Sequence, residues 1–347
     1  MLLNAIRSGS YHSFICVLKR INVLFLIVGL SFHSSAYADL IKGDVALAAG
    51  DLTEAIAFYQ SSEHDIEAKI KLASIWMNRD LDSAEDWIEK ARKQNSEHAP
   101  MHFLRGQIMG MQASNSIFSA LSYASKSLES FEKAVALAPD NVNYQNGLLS
   151  FYTQAPGIAG GDMDKAKSVA LAIAALDPIE GLKANIMVYS QLDDQEGLNA
   201  LLQKGLTEHS DDPWFMFTAG MIKQSQQEYA QAVGLLSQVS KNQEAKNEES
   251  TDQTNSQRYY SAQYQIGKTA ILANDFYEQG LNALNNYIDN ALISDGMTGI
   301  GWARLRKANI IEALGDKTAA YQLYMSIAHH DDKQLKKELK QALKRFR

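Results

Sequence analysis

The sequence predicts an all-α protein built from antiparallel helical hairpins. From Asp39 onward, apolar residues recur at three- and four-residue spacing, which is the period of an amphipathic helix. No stretch alternates with period two, and no Asn-Gly or Asp-Gly pair links strand-like runs. The helices come in pairs that resemble one another, so the predicted unit of the fold is a hairpin.

The best-formed pair has Gly43 in its first helix, a turn at Gly50, and Ala55 and Tyr59 in its second helix. Twelve residues separate Gly43 from Ala55, and about one helical turn separates Ala55 from Tyr59. Small side chains are needed at the first two positions because the helices of a hairpin cross closely. The spacing recurs at Gly220, Ala232 and Leu236 and, with Gly315 at the turn, at Ala308, Ala320 and Tyr324.

This arrangement resembles the tetratricopeptide-repeat (TPR) family. The most characteristic stretch runs from Ser130 to Asn141 and contains Phe131, Ala134 and Pro139, with Gly106 in the helix before it. The resemblance implies a right-handed α-solenoid of about eight hairpins over residues 39–328, closed by a basic capping helix over residues 334–346. Members of the family bind protein or peptide partners, so the resemblance implies such partners and no cofactor.

The amino terminus has the pattern of a Sec-type signal peptide. Arg7, Lys19 and Arg20 form a basic leader, an apolar run follows over residues 21–32, and small residues up to Ala38 make an A-x-A cleavage site. We expect cleavage after Ala38 and a periplasmic protein, with an uncleaved membrane anchor as the alternative. No other segment is apolar enough to span a membrane.

Composition excludes several classes of function. The chain without residues 1–38 has 30 basic and 40 acidic residues and no basic stripe in its body, which argues against binding of nucleic acid or anionic lipid. Its only cysteine, Cys16, lies in the leader, so the exported chain is expected to hold neither a disulfide nor a thiol nucleophile.

Departures from the repeat predict the domain organisation. Residues 241–257 are polar and of low complexity, which predicts a linker or loop between a front part (39–240) and a back part (258–347). The sequence leaves open whether these parts form one solenoid or two. Two insertions, at residues 111–119 and 154–163, also interrupt the period.

The inner face of such an array is lined by the first helix of each hairpin, which predicts a partner-binding groove. Counted from Gly220 the inward positions are Trp214, Phe217 and Met221, and counted from Gly267 they include Tyr264 and Lys268. An apolar groove suits a peptide with large side chains. The alternative is that the aromatic residues belong to the core.

The insertion at residues 154–163 contains a glycine-rich loop. Its residues are Pro156, Gly157, Gly160, Gly161 and Asp162. A phosphate-binding loop needs Gly-Lys-Ser/Thr after its glycines, and this loop has Gly-Asp-Met. We therefore predict that Asp162 caps the following helix and that the loop is a contact surface.

No motif in the sequence indicates catalysis or a metal site. There is no G-x-S-x-G turn, and the His329–Asp332 cluster is expected to be a solvated helix end. Two other functions stay open beside a non-catalytic scaffold. One is a self-assembling structural module, and the other is an envelope enzyme acting on cell-wall glycan or peptide.

Overall fold

A computed structural model of the chain describes residues 38–192, 194–246, 253–293 and 297–346. Within these residues the chain forms seventeen α-helices and no strand. The prediction of an all-α fold is confirmed. The chain divides into two compact units between Leu176 and Asp177.

The first unit contains four hairpins, each made of two consecutive helices. Their helices are α1 (38–48), α2 (Leu52–Ser61), α3 (Ile66–Met77), α4 (Leu81–Gln94), α5 (Ala99–Asn115), α6 (Ala120–Leu137), α7 (Val142–Gln154) and α8 (Met163–Leu176). Because short turns join helices that pack on each other, the two helices of a pair run antiparallel.

The second unit contains four more hairpins and one terminal helix. Its helices are α9 (Pro178–Tyr189), α10 (Gln195–Glu208), α11 (Pro213–Ser225), α12 (Tyr229–Lys246), α13 (Gln253–Ala273), α14 (Tyr277–Asn290), α15 (Ile300–Ala313), α16 (Lys317–Ser326) and α17 (Lys333–Leu343). The predicted capping helix corresponds to α17, whose Leu335 and Leu339 are buried against α15 and α16.

The small residues of the repeat signature lie where two helices of a hairpin touch. A methyl group added to the first-helix glycines would overlap a large second-helix side chain, and ordinary van der Waals contact is impossible at these separations. The added carbon at Gly43 would lie 2.5 Å from the nearest Tyr59 atom, and the one at Gly106 would lie 2.8 Å from Phe131. The corresponding distances are 2.8 Å from Gly220 to Leu236 and 2.3 Å from Gly267 to Leu284. The second-helix alanines are fully buried: Ala55, Ala134, Ala232 and Ala320.

Aspartates begin many of the helices, as the turn sequences predict. The carboxylate of Asp51 accepts a hydrogen bond from the Glu54 amide, and Asp316 does the same for Ala319. The glycine before each of these caps, Gly50 or Gly315, has a positive φ of 81° or 95°. A residue with a Cβ atom rarely adopts that conformation, so glycine is favoured there.

Two expectations about the organisation need correction. The expected linker over 241–257 is helical at residues 241–246, in α12, and at residues 253–257, in α13. Its remaining residues, 247–252, lie outside the described residues. The two compact units also divide at Leu176 and not in this segment. A polar composition predicted a loop, but the ends of α12 and α13 extend the helices of well-packed hairpins.

The insertion at residues 111–119 lengthens a hairpin instead of forming a long loop. Helices α5 and α6 contain 17 and 18 residues, more than most others in the chain. The hydroxyl of Ser127 donates to the Gly106 carbonyl at 2.7 Å, which holds the two helices close. Gly106 still packs on Phe131 although the insertion separates them further in sequence.

Most of the predicted signal peptide, residues 1–37, lies outside the described residues, so its cleavage stays a prediction. Ala38 is the first residue of α1. None of the helices formed by the described residues is long and apolar enough to cross a membrane.

A buried ion pair joins α4 to the long hairpin. Arg105 is 5% exposed, and its Nε donates to Glu89 Oε1 at 2.6 Å. Arg92 donates to the other oxygen of Glu89 at 2.7 Å. Burial alone would raise the pKa of Glu89, but the hydrogen bonds from both arginines outweigh it and hold the pKa below its usual 4.5.

This pair predicts a pH-dependent contribution to stability. A carboxylate with a depressed pKa stabilises the fold above its unfolded pKa and loses that contribution as the pH falls through the folded pKa. Glu89→Gln should therefore lower the free energy of unfolding by about 3 kcal/mol at pH 7, and the difference from wild type should shrink below pH 4.5. Urea unfolding of both proteins at several pH values measures this difference in the free energy of unfolding. Glu208→Gln, at an exposed position, is the control. A difference between Glu89→Gln and wild type that is the same at pH 7 and pH 3 would contradict the prediction.

Candidate functional site: a groove among the first helices

The first helices of consecutive hairpins contact one another as well as their own partners. In the second unit α11 contacts α13, α13 contacts α15, and α15 contacts α17. In the first unit α3, α5 and α7 follow the same pattern. The first helices of each unit therefore form a layer, which we call the inner layer.

A cavity of about 380 Å³ opens among α9, α10 and α11 of the second unit, and we call it the groove cavity. Phe217 and Met221 of α11 line it together with Met187 of α9. All three side chains are half-buried, so part of each reaches the cavity surface. Methionines are flexible and polarisable, and they suit a surface that adapts to varied apolar side chains.

The rim of the groove cavity carries polar groups. Ser190, Gln195 and Gln226 all line it. The Gln226 Nε2 donates to Gln195 Oε1 at 2.7 Å, whereas its own Oε1 is buried and has no hydrogen-bond partner among the described residues. A buried acceptor without a donor is unfavourable, so this oxygen is a local cost to the fold and does not face the cavity.

Three of the five predicted groove residues do not line this cavity. Trp214 is half-buried and packs on the cluster that contains Leu182 and Leu198. Tyr264 is only 6% exposed and belongs to the core around Tyr287, so its assignment to an open groove was wrong. Lys268 is half-buried on α13, away from the cavity lining. The ring of Tyr264 lies 5.8 Å from that of Tyr287 in its own hairpin, and the same cluster contains Ala303 and Ile310 of the next one.

A second, larger cavity of about 680 Å³ lies at the end of the inner layer, among α13, α15 and α17. Some of its polar groups satisfy one another, whereas Lys337 lines it without an ion-pair partner among the described residues. Arg345 pairs with Glu312 through two hydrogen bonds of 2.7 Å, and the Tyr324 hydroxyl donates to Glu312 at 2.8 Å. The hydrogen bonds from Arg345 lower the pKa of Glu312, and burial together with Glu312 raises the pKa of Tyr324.

The groove cavity is the better candidate for a binding site. A ligand in the larger cavity would have to displace the Arg345–Glu312–Tyr324 contacts, which costs free energy. A ligand in the groove cavity would instead cover apolar surface of Phe217 and Met221 and could hydrogen-bond the uncharged side chains of Ser190 and Gln195.

The glycine-rich loop is compact and internally hydrogen-bonded. Asp162 Oδ1 accepts from the amides of Asp164 and Lys165, which confirms that it caps α8. The Gly161 amide donates to the Pro156 carbonyl at 3.1 Å, and Gly160 has a φ of 100°. The loop thus holds a fixed shape without any ligand.

The fixed shape displays one apolar side chain. Ile158, in a single 3₁₀ turn spanning Gly157–Ala159, is 83% exposed. Pro156 and Gly157 beside it are exposed as well. This arrangement is compatible with the predicted contact surface, which stays a prediction.

Two glycines of this loop provide a matched pair of variants. A Cβ atom at Gly161 would lie 1.8 Å from the Ala155 carbonyl oxygen, whereas one at Gly157 meets nothing within 4 Å. Gly161→Ala should therefore lower the free energy of unfolding by about 1–3 kcal/mol. Gly157→Ala should change it by less than about 0.5 kcal/mol. Chemical denaturation measures both, and equal effects would show that the loop is not held as described.

Sequence reasoning missed Met187, although the repeat contains the signal for it. Met187 precedes Met221 by 34 residues, the length of one repeat. The repeat over residues 179–209 lacks the small-residue signature, so its first helix predicted no groove residue. Counting back one period from Met221 would have found it.

No family model matches the sequence, and no curated protein matches it. Several solved structures are similar in fold. A thermophilic TPR protein of Thermus thermophilus is 15% identical, with a TM-score of 0.41, over 52% of this chain and 94% of that one. PilW, a widely conserved type IV pilus biogenesis factor, is 16% identical, with a TM-score of 0.42, over 79% of this chain and 98% of that one. A TPR protein of Parabacteroides merdae is 15% identical, with a TM-score of 0.41, over 79% of this chain and 96% of that one.

Proposed function

We propose that this array of TPR-like hairpins is a non-catalytic scaffold that binds a protein partner through the groove cavity. The observation that carries the proposal is the lining of that cavity, where Phe217, Met221 and Met187 present apolar surface beside the hydrogen-bonding side chains of Ser190 and Gln195. A peptide supplies both complements, since its side chains are apolar at intervals and its backbone carries N–H donors.

The size of the cavity limits what it holds. A volume of about 380 Å³ accommodates a few side chains and not a folded domain. The partner is therefore expected to insert an apolar helix face or an extended segment. Large side chains such as leucine or phenylalanine would bury the most apolar area against the two methionines.

The absence of catalysis belongs to the same proposal. The described residues are used up by hairpins and the terminal helix α17. The groove cavity is lined by apolar and uncharged side chains, and Glu312 pairs with Arg345 in the larger cavity, which is an arrangement for packing and recognition. Assays of the purified chain on cell-wall sacculi test the competing envelope-enzyme function, and release of fragments would overturn the proposal.

Substitution in the groove cavity tests the binding function. Met221→Glu places a charge on the apolar lining and should weaken partner binding at least tenfold, or by about 1.4 kcal/mol or more. Met325→Glu is the matched control, because Met325 is 45% exposed on α16. Proteins captured from an envelope extract by wild type and both variants are compared by quantitative mass spectrometry.

The result is interpreted through the difference between the two variants. A partner retained by Met325→Glu and lost by Met221→Glu supports the groove. A photoreactive amino acid at position 221 should crosslink to the same partner. Partners captured equally by all three proteins would place binding elsewhere and refute the assignment of the groove.

We further propose that the scaffold acts in the periplasm. The support is the leader with Arg7, Lys19 and Arg20, the apolar run over residues 21–32, and the small residues ending at Ala38. Expressed as the full chain, the protein should be recovered from the periplasmic fraction with Asp39 as its first residue. Intact-mass measurement decides this, and a membrane-bound chain that retains residues 1–38 would indicate an uncleaved anchor.

A further inference from the structure

The terminal helix α17 has its apolar side fully used by the fold. Leu335 is 0% exposed, Leu339 is 4% exposed and Ala342 is 3% exposed, and all three pack in one cluster with Ala308 and Tyr324. These contacts fix the rotation of α17 about its own axis. The side chains on its opposite side must therefore point away from the core.

Four lysines occupy that opposite side, and we call them the lysine stripe: Lys333, Lys337, Lys340 and Lys344. At about 100° per residue they fall within an arc of about 60°. The helical rise places neighbouring members about 4.5–6 Å apart along the axis. All four are exposed, and none is in an ion pair with a carboxylate of the described residues.

Other charges near the stripe have partners within the fold. Arg345 pairs with Glu312 at 2.7 Å, and Glu338 pairs with Arg306 at 2.9 Å. These contacts attach α17 to α15 without help from the stripe. The four lysines are therefore not required for docking the helix. Lys340 and Lys344, at the C-terminal end of α17, suit the negative end of the helix dipole, but Lys333 and Lys337 have no such role.

The stripe also opposes the charge of the rest of the chain. Residues 333–347 contain seven basic residues and one acidic residue, whereas residues 39–332 contain 23 basic and 39 acidic residues. A helix face that only needed to be soluble could carry either sign or both. A single-sign face on an acidic protein creates a local attraction for anionic groups.

We propose that the lysine stripe is a second docking surface, which binds an acidic helix of a protein partner. This inference rests on the proposed scaffold function. A helix that carries carboxylates at intervals of four, three and four residues has the same axial spacing as the stripe. Lying along α17, it would form four exposed ion pairs of the kind found at the flanks of coiled coils.

The geometry favours an acidic helix over a membrane surface. Since the apolar side of α17 is buried, the helix cannot insert into the lipid interface. Asp331 and Asp332 directly precede the stripe, within the Debye length of about 8 Å at physiological salt. A flat anionic surface would meet these carboxylates as well, whereas a partner as narrow as one helix can avoid them.

The geometry also argues against nucleic acid. Binding of nucleic acid commonly combines an extended basic surface with aromatic side chains on which bases stack. The stripe contains no aromatic residue, and the nearby Arg345 is held by Glu312. The rest of the chain from residue 39 to 332 is acidic, so the basic surface is limited to one short helix.

The test uses two synthetic helical peptides with the same composition. In one, four glutamates follow the four-three-four spacing on one face; in the other, the same glutamates are spread around the helix. Fluorescence anisotropy with the full chain should show that the first peptide binds more tightly and that its affinity falls with added salt. Substituting the four stripe lysines with glutamine should weaken its binding by at least about tenfold.

The controls isolate the stripe. A second variant replaces four exposed lysines outside α17 with glutamine, namely Lys90, Lys93, Lys165 and Lys204. This variant should bind the striped peptide like wild type. Equal binding of the two peptides, or unchanged binding by the stripe variant, would overturn the proposal. Stripe-dependent binding to phosphatidylglycerol vesicles or duplex DNA, without peptide binding, would overturn it in favour of those ligands.

The groove variant separates this inference from the proposed function. Met221→Glu should bind the striped peptide normally, because Met221 lies on α11 and the stripe on α17. If the peptide binds but Met221→Glu retains every captured partner, the groove assignment fails and the stripe stands. If the groove partner is lost as expected but the peptide does not bind, the stripe inference fails alone.

Discussion

The contact between a glycine of one helix and a large side chain of its partner is the constraint on which the hairpins depend. At Gly43, Gly106, Gly220 and Gly267 there is no room for a methyl group, since the partner ring or leucine would lie less than 3 Å away. The close approach lets the second-helix alanines, such as Ala55 and Ala232, bury fully. Without disulfides, this packing supplies the stability of the fold.

The same contact decides the chemistry of the inner layer. The residue that follows the small first-helix residue is Asp44 in the first hairpin and Asn309 in the last, and the side-chain oxygen of each lies 2.6 Å from the tyrosine hydroxyl of its own hairpin. In the hairpin of Gly220 the large residue is Leu236, which has no hydroxyl group. Met221, the residue after Gly220, therefore has no tyrosine hydroxyl opposite it in its hairpin, and its side chain lines the groove cavity.

The second unit thus carries two surfaces of opposite character. The groove cavity is apolar with a few polar groups at its rim, so it selects by shape and by apolar area. The lysine stripe is charged and exposed, so it selects by sign and spacing and is sensitive to salt. If both proposals hold, the two surfaces would bind one partner by two segments, or two partners at once, because Phe217 lies on α11 and Lys340 on α17.

The sequence by itself determined the hairpins, since spacing of small and large residues is a local property. The pairing of Gly43 with Tyr59, the cap at Asp162 and the helix closing the chain all follow from residues close in sequence or one period apart. The environment of each side chain was decided by the tertiary structure. Contacts with the neighbouring helices α14 and α15 placed Tyr264 in the core, whereas Met221 lies at a cavity, although both occupy inward positions of their repeats. Polar composition likewise suggested a loop at residues 241–257, of which the described residues 241–246 and 253–257 belong to α12 and α13 instead.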